Sequence, residues 1–338
     1  MSEKVKAAVV PEKGAKLEIQ LVDKPIPKPF VYDESSGERG ELLVKIKAIA
    51  LNPIDVYQVE SGLMVDGYPA ILGSDVSGVV EAVGEGVTEF SQGDEVCGYT
   101  KLGLPGHYGA FSEYTLLEAS TTFKKPPNLT FREAATIPVC SLTAGLGLFE
   151  SLKLPLPSEN PGWFREEYIL IWGGSSSVGS YAIQLAAHSG LTVITTASPK
   201  NHQFLQQLGA AYTFDYNARD VVDQIKNASQ GRLKYAFDTV GGKTTPLCIE
   251  TLSKNGKLAC VDRSAKTRED IEMSMVTLGA AHRNPNDYLK STNRVLKEIE
   301  IMLFDGRIRP VNITSMPGGL DGILPALEKL KSGVNTNF

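Results

Sequence analysis

Two patterns of apolar and polar positions divide the chain near residue 140. Before it, apolar residues alternate with polar ones over short runs. "ELLVKIKAIAL" (41–51) has the period of two that places alternate side chains on opposite faces of a half-buried strand. "GVVEAVGEGV" (78–87) carries β-branched residues broken by glycines, and "GDEVCGY" and "GAFSEYTLL" read as further strands between glycine-rich turns. Prolines and glycines crowd the gaps, which predicts a compact antiparallel or barrel-like domain.

After Ser141 the pattern changes. "YILIW" (168–172) is a solid apolar run, expected of a strand buried on both faces. From Val178 a helical period begins: Val178, Ala182, Leu185 and Ala186 share one face, and Gly190 closes it. "TVITTA" (192–197), "AYTFDY", "YAFDTV" and "KLACVD" read as strands. "KNHQFLQQLG", "DVVDQIKNAS" and "TPLCIETLSKNG" read as the helices between them. Strands alternating with helices of about ten residues predict a parallel, doubly wound sheet and an α/β fold class. "DYLKSTNRVLKEIEIMLFDG" (287–306) is the longest helical stretch, and "LDGILPALEKLKSG" is a last helix. This tail is expected to return to the N-terminal domain and make it discontinuous. The expected domains are therefore 1–140 with 286–338, and 141–285.

Composition narrows the class. With 338 residues, two domains are expected. Apolar residues at 42% and charged residues at 22% suit a globular protein in water. A net charge of -5 argues against a nucleic-acid or anionic-membrane partner. No run reaches the roughly 18 apolar residues of a membrane span. The start "MSEKVKAAVV" lacks a signal-peptide core, so a cytoplasmic location is expected. Cys97, Cys140, Cys248 and Cys260 form no CxxC pair, and no disulfide framework is expected.

The stretch "ILIWGGSSSVGS" (169–180) carries the first candidate chemistry. A dinucleotide loop needs glycine for the turn after the first strand, a bare backbone beside the pyrophosphate, and a small residue where helix meets sheet. Gly173, Gly174 and Gly179 supply these. Ser175, Ser176 and Ser177 can add hydroxyl donors and a helix cap, and the helix starting near Val178 turns its amides toward the phosphates. The alternative is an ordinary glycine-serine turn; the strand before, the helix after and the repeating units favour the nucleotide. At the end of the second strand an acid would select NAD. This chain reads Ser198-Pro199-Lys200-Asn201, without an acid. Ser198 can bond a 2'-phosphate and Lys200 can neutralise it, which points to NADP(H). Ser198-Pro199 also reads as a plain N-cap with its N1 proline, and Lys200 as a solvated charge.

"ALNPIDVY", "ILGSDVSGVVEAVGEGV", "GDEVCGY", "GAFSEY", "SLTAGLGLF", "GGSSSVG", "FDTVGG" and "GGLDGILPALEKLKSG" follow one another in the order of the medium-chain dehydrogenase/reductase superfamily, which the chain resembles over nearly its whole length. "ASPKN" and "FDY" look most like a fungal branch of trans-acting enoyl reductases and aldehyde- or enone-reducing relatives, near the quinone oxidoreductases. The resemblance implies a GroES-like catalytic domain and a Rossmann domain, with chemistry in the cleft between them. Zinc members place a cysteine in the segment here reading "ALNPID" and His-Glu after the glycine of "LGSD". This chain has Asn52, Ser74 and Asp75 there. Cys140 falls one residue from the third ligand position, and His107 stands where a structural zinc lobe is lacking. The resemblance therefore implies a zinc-independent reductase.

Without a Lewis acid, the simplest reaction left is hydride transfer from NADPH to a conjugated enone, quinone or related reactive carbonyl. By resemblance, Tyr57 in "NPIDVYQ" lies beside the nicotinamide and donates to the carbonyl, Asn52 orients cofactor or substrate, and Asp55 makes a structural bond. Thr143 meets the nicotinamide side, Tyr216 lies near the adenosine, and Val240, Gly241 and Val261 line the cofactor groove. The alternative for Tyr57 is a core tyrosine with a satisfied hydroxyl. The alternatives are a zinc-independent aldehyde reductase and an NADPH-binding protein with little turnover. "VESGLMVDGYP" and "DRSAKTREDIEMSM" read as variable loops, and the family's apolar strand after "KSG" has no counterpart in "KSGVNTNF". A small molecule is the expected partner, and a homodimer is compatible with the sequence.

Overall fold

The computed structural model describes residues 3–29, 31–33, 37–159, 166–262, 266–279, 282 and 285–332. They form two compact units. The first comprises Met1–Val139, Gly279–Leu296 and Pro310–Phe338; the second comprises Cys140–Leu278 and Lys297–Arg309.

In the first unit, β1 (Lys4–Val10) pairs antiparallel with β2 (Glu18–Asp23), and β3 (Val31–Asp33) pairs antiparallel with β4 (Gly37–Arg39). The main sheet is built from β5 (Glu41–Ala50), β7 (Asp75–Val83), β8 (Glu95–Tyr99), β9 (Tyr114–Glu118) and β10 (Thr122–Lys124), in the order β10-β8-β7-β5-β9. β6 (Ala70–Ile71) instead pairs with β1. Alternation decides where side chains go. Leu42 and Val44 of β5 join Val76, Val80, Val96 and Leu117 in one core, while Leu43 faces the other way to Val5, Tyr114 and Leu116. Each such side chain, fully buried, contributes roughly 1.5–3 kcal/mol. A third cluster sets β1 and Phe111 against Ile323 and Leu327 of the last helix.

The second unit is a six-stranded parallel sheet. Its strands are β11 (Tyr168–Trp172), β12 (Thr192–Thr196), β13 (Ala210–Phe214), β14 (Tyr235–Asp238), β15 (Lys257–Cys260) and β16 (Glu272–Met275), in the order β13-β12-β11-β14-β15-β16. Ile169, Leu170 and Ile171 are wholly buried, as the solid apolar run predicts. Among the described residues, these helices carry the labels used below. They are α1 (Pro53–Ser61), α2 (Phe131–Ala135), α3 (Pro138–Gly145), α4 (Ser177–His188), α5 (His202–Gln207), α6 (Val221–Ala228), α7 (Thr245–Thr251), α8 (Pro285–Phe304) and α9 (Ile323–Lys331).

Two expectations need revision. The reading of "DRSAKTREDIEMSM" as a loop fails at Glu272–Met275, which pairs with β15 as the sixth strand; residues 263–265 lie outside the described residues. The expected boundary at 286 is replaced by a division within α8, and 297–309 belong to the second unit. Side chains explain this. Glu298 accepts from Ser158 N (3.1 Å) and Ser158 Oγ (2.5 Å), and the Gln184 amide exchanges two bonds with the Arg309 backbone. The family's strand after "KSG", for which the sequence offers no counterpart, would fall on 334–338, outside the described residues.

Candidate active site

In the second unit the strand order reverses direction between β11 and β14, the switch point where open parallel sheets form a ligand crevice at their carboxyl ends. The loops that follow these two strands meet there. Gly173 adopts φ +81°, and a Cβ on it would lie 2.4 Å from Val240 Cγ2. A Cβ on Gly179 would lie 2.4 Å from the Gly173 carbonyl oxygen, so the first turn of α4 rests on the end of β11. Gly174 is equally confined, against Thr195 Oγ1. These glycines leave a bare backbone beside a helix N-terminus, which fits a dinucleotide pyrophosphate.

Ser176 caps α4: its Oγ accepts from Gly179 N at 2.9 Å and lies 2.9 Å from Thr239 Oγ1. Thr239 donates its only hydroxyl proton to Trp172 O at 2.8 Å, so Ser176 is the donor between the two side chains. The hydroxyls of Ser175 and Ser177 make no hydrogen bond with the described residues, and both residues, like Val178, stay half-exposed. Asp238, at the end of β14, holds the neighbouring loop. Its carboxylate accepts from Val240 N (3.1 Å), Gly241 N (3.0 Å), Thr244 Oγ1 (2.9 Å) and Thr245 Oγ1 (2.7 Å). Val240 is left 53% exposed at the crevice, and Val261 follows β15 directly.

At the ends of β12 and β13, Ser198 Oγ and Tyr216 OH lie 3.0 Å apart, bringing together two side chains 18 positions distant in sequence. Ser198 begins the short helical turn Pro199–Asn201 without a side-chain cap bond, so its hydroxyl is turned to Tyr216 and not to capping. Lys200 is exposed and makes no ion pair with the described residues, and Asn201 N donates to Ser198 O. No acid stands at the end of β12. Thr143 sits half-buried on α3, away in sequence from the strand ends that carry the other cofactor candidates.

In the first unit, Asn52 precedes α1 and is 5% exposed. Its Nδ2 donates to Ser74 Oγ (2.9 Å) and Asp75 Oδ2 (2.8 Å). Asp55 Oδ2 accepts from Asn52 N (2.7 Å) and Ser74 Oγ (3.1 Å), and Asp75 Oδ1 accepts from Val139 N (2.9 Å). Burial pushes the Asp55 carboxyl up to about 7 against those two bonds, and burial also raises Asp75 well above the usual carboxylate range. Of Asn52, Ser74 and Asp75, Asn52 thus bonds to the other two. Two of the three are an amide and a hydroxyl, and both oxygens of the third are engaged, a donor set that does not fit catalytic zinc. Among the described residues no group of three or more His, Cys, Asp and Glu side chains could hold a metal ion.

Tyr57 is not a core tyrosine. It is 55% exposed on α1, and its hydroxyl makes no hydrogen bond with the described residues. Sequence reasoning missed Thr239 and Asp238, whose roles arise only when the β11 and β14 loops meet. The one available signal was the polar pair inside "FDTVGG".

The chain combines an antiparallel β-rich unit with a parallel-sheet unit whose first helix starts at a glycine-bounded loop, a combination that suits a nucleotide-dependent oxidoreductase. The family comparison agrees. Residues 38–127 match the family described as alcohol dehydrogenase GroES-like domain, and residues 177–291 match that described as zinc-binding dehydrogenase. A trans-enoyl reductase of Aspergillus flavipes is 34% identical, covering 99% of this chain and 98% of its own. Two crystal structures share the fold. An alcohol dehydrogenase superfamily protein of Novosphingobium aromaticivorans has TM-score 0.83 and 26% identity, covering 97% of this chain and 95% of its own. A quinone oxidoreductase of Pseudomonas syringae has TM-score 0.75 and 25% identity, covering 99% and 98%. The chain belongs to the medium-chain dehydrogenase/reductase family, in the branch of trans-enoyl reductases and quinone oxidoreductases. It is an oxidoreductase of a family that binds a nicotinamide cofactor and acts on small molecules. No helix among the described residues is long and apolar enough to cross a membrane.

Proposed function

We propose that the protein is an NADPH-dependent reductase that transfers hydride, without zinc, to the electron-poor carbon of a conjugated enone, quinone or related reactive carbonyl. The observation that carries this reading is the hydrogen-bonded set of Asn52 with Ser74 and Asp75, at the positions where zinc relatives keep ligands. With no electrophilic metal, a carbonyl oxygen needs another donor as charge builds on it. The Tyr57 hydroxyl, exposed and uncommitted, fills that role.

When bound, the nicotinamide supplies the hydride. Gly173, Gly174, Gly179 and Val178 make room for its pyrophosphate at the start of α4, where Ser175 and Ser177 donate hydroxyls and Ser176 holds the turn. Val240, Gly241 and Val261 flank the cofactor, and Thr143 steadies its nicotinamide end. Ser198, Lys200, Asn201 and Tyr216 take the 2'-phosphate and adenosine. Asn52 cannot donate to substrate, because both its amide protons are spent; it positions α1 and so Tyr57. A cytoplasmic location and a small-molecule substrate are part of this proposal.

The test is NADPH oxidation on quinones, enones and aldehydes, run beside NADH and with a chelator. The proposal expects turnover of enones or quinones with NADPH, insensitive to chelation. Loss on chelation overturns the metal reading, equal rates with NADH overturn the cofactor reading, and turnover of aldehydes alone overturns the substrate class.

A further inference from the structure

Two side chains at the carboxyl end of β12 are out of keeping with their place. A parallel strand buried on both faces calls for apolar residues, and Val193 and Ile194 supply them. Thr195 and Thr196 follow, each 0% exposed, and each brings a hydroxyl that costs stability unless it is bonded. Thr195 Oγ1 donates to Ile171 O at 2.7 Å, across the last residue pair of the β11–β12 ladder. Thr196 lies one residue beyond that pair, at the start of the glycine loop. Its Oγ1 accepts from Gly173 N at 3.1 Å, and its backbone oxygen accepts from Gly174 N at 3.0 Å. One residue therefore holds the first two amides of the loop.

The amides that follow fall into two sets. Ser176 N donates to Gly173 O at 2.9 Å, and Gly179 N donates to Ser176 Oγ at 2.9 Å. Ser175 N, Ser177 N and Val178 N donate to none of the described residues. Gly173 is the residue at φ +81°, so the direction of its N–H decides how the loop leaves β11. Thr196 also stands two positions before Ser198, whose Oγ lies 3.0 Å from Tyr216 OH. The same short stretch of chain thus reaches both the loop and the Ser198–Tyr216 pair.

We propose that Thr196 is a positioning residue for the cofactor: by engaging Gly173 N and Gly174 N, it turns the loop so that the amides of Ser175, Ser177 and Val178 receive the pyrophosphate. This rests on the reading of the loop as a dinucleotide site. Thr196 acts through the loop and not on the ligand. A valine is close to threonine in volume but accepts no hydrogen bond, which releases the Gly173 N–H to turn toward solvent. Cofactor binding must then restore the turn. A serine keeps the acceptor. The Ser198–Tyr216 contact does not pass through Gly173, so the loss falls on the pyrophosphate and spares the 2'-phosphate end.

The test compares the full chain with its Thr196→Val and Thr196→Ser variants. NADPH binding is read by fluorescence titration of the nicotinamide. Binding of 2'-AMP, which has the 2'-phosphate and no pyrophosphate, is read by its displacement of NADPH. Thr196→Val should raise the Kd for NADPH about tenfold, the factor expected when one donor loses its partner. Its Kd for 2'-AMP should stay unchanged, and Thr196→Ser should bind NADPH as the unaltered chain does. Equal NADPH binding in the valine variant, equal weakening of both ligands, or a serine variant as weak as the valine one overturns the proposal. A second measurement needs no variant. In amide hydrogen exchange followed by NMR, Gly173 and Gly174 should exchange slowly in the free chain, and Ser175, Ser177 and Val178 should slow only when NADPH is added. Rapid exchange at Gly173 in the free chain overturns the proposal. An unaltered chain that binds no NADPH overturns the dinucleotide reading and this proposal together, whereas NADPH binding that the valine variant shares in full overturns the positioning role alone.

Discussion

Ser176 and Tyr57 mark opposite uses of a hydroxyl. Ser176 spends its acceptor on the α4 cap and its donor on Thr239, whereas Tyr57 has both capacities uncommitted at the surface. Removing a donor that meets developing negative charge costs about 10²–10³ in rate. Tyr57→Phe should therefore lower kcat about a hundredfold with the melting temperature unchanged; unaltered kcat on every substrate would remove Tyr57 from the chemistry. At Lys200 the loss is of cofactor choice. A hydrogen bond to a charged group is worth about 1.5–3 kcal/mol, so Lys200→Ala should raise KM for NADPH at least tenfold and leave KM for NADH near its starting value. The pairing of Ser198 with Tyr216 was half legible. The motif named both residues, but only the side-by-side ends of β12 and β13 bring their hydroxyls to 3.0 Å. The Asn52 network was legible as missing ligands and not as a bonded cluster, because its members come from separate elements.

Elements were legible where burial is two-sided or strictly alternating. "YILIW" and "ELLVKIKAIAL" became β11 and β5 because their apolar periods match what each sheet face demands. Glu272–Met275 escaped because an edge strand needs no apolar run, and its charged and polar residues look like a loop until they pair with β15. α4 depends on a contact no period reveals. Gly179→Ala would drive a Cβ against the Gly173 carbonyl, so the variant should lose tight cofactor binding, read as a Kd raised at least tenfold in fluorescence titration. A second element-scale test lies in the first unit, where Lys101 bridges Glu41 at 2.8 Å and Glu118 at 3.1 Å, both carboxylates buried. Removing one partner of a buried ion pair costs about 3–5 kcal/mol, so Lys101→Ala should lower the unfolding free energy by that order in urea titration.

At the scale of the molecule, pH links the buried acids to stability. Asp55 in the folded chain keeps its proton up to pH about 7, whereas an unfolded carboxyl releases it near 4. Between those values the folded state binds the extra proton, so stability falls as pH rises and levels off above about 7. Asp75 is raised for the same reason and adds to the slope. Asp55→Asn mimics the neutral acid and should flatten the decline in melting temperature between pH 5 and 8; an unchanged slope would assign the pH dependence elsewhere. The order of motifs made the two-unit plan legible, while the division inside α8 was not, since it depends on side chains such as Glu298 and Gln184. The central claim is that hydride goes to a conjugated carbon. Its most direct test is turnover of an enone with NADPH deuterated at C4 of the nicotinamide, with the product read by NMR. Deuterium at the β-carbon of a saturated ketone is the predicted result, and deuterium on the carbinol carbon of an unsaturated alcohol would contradict it.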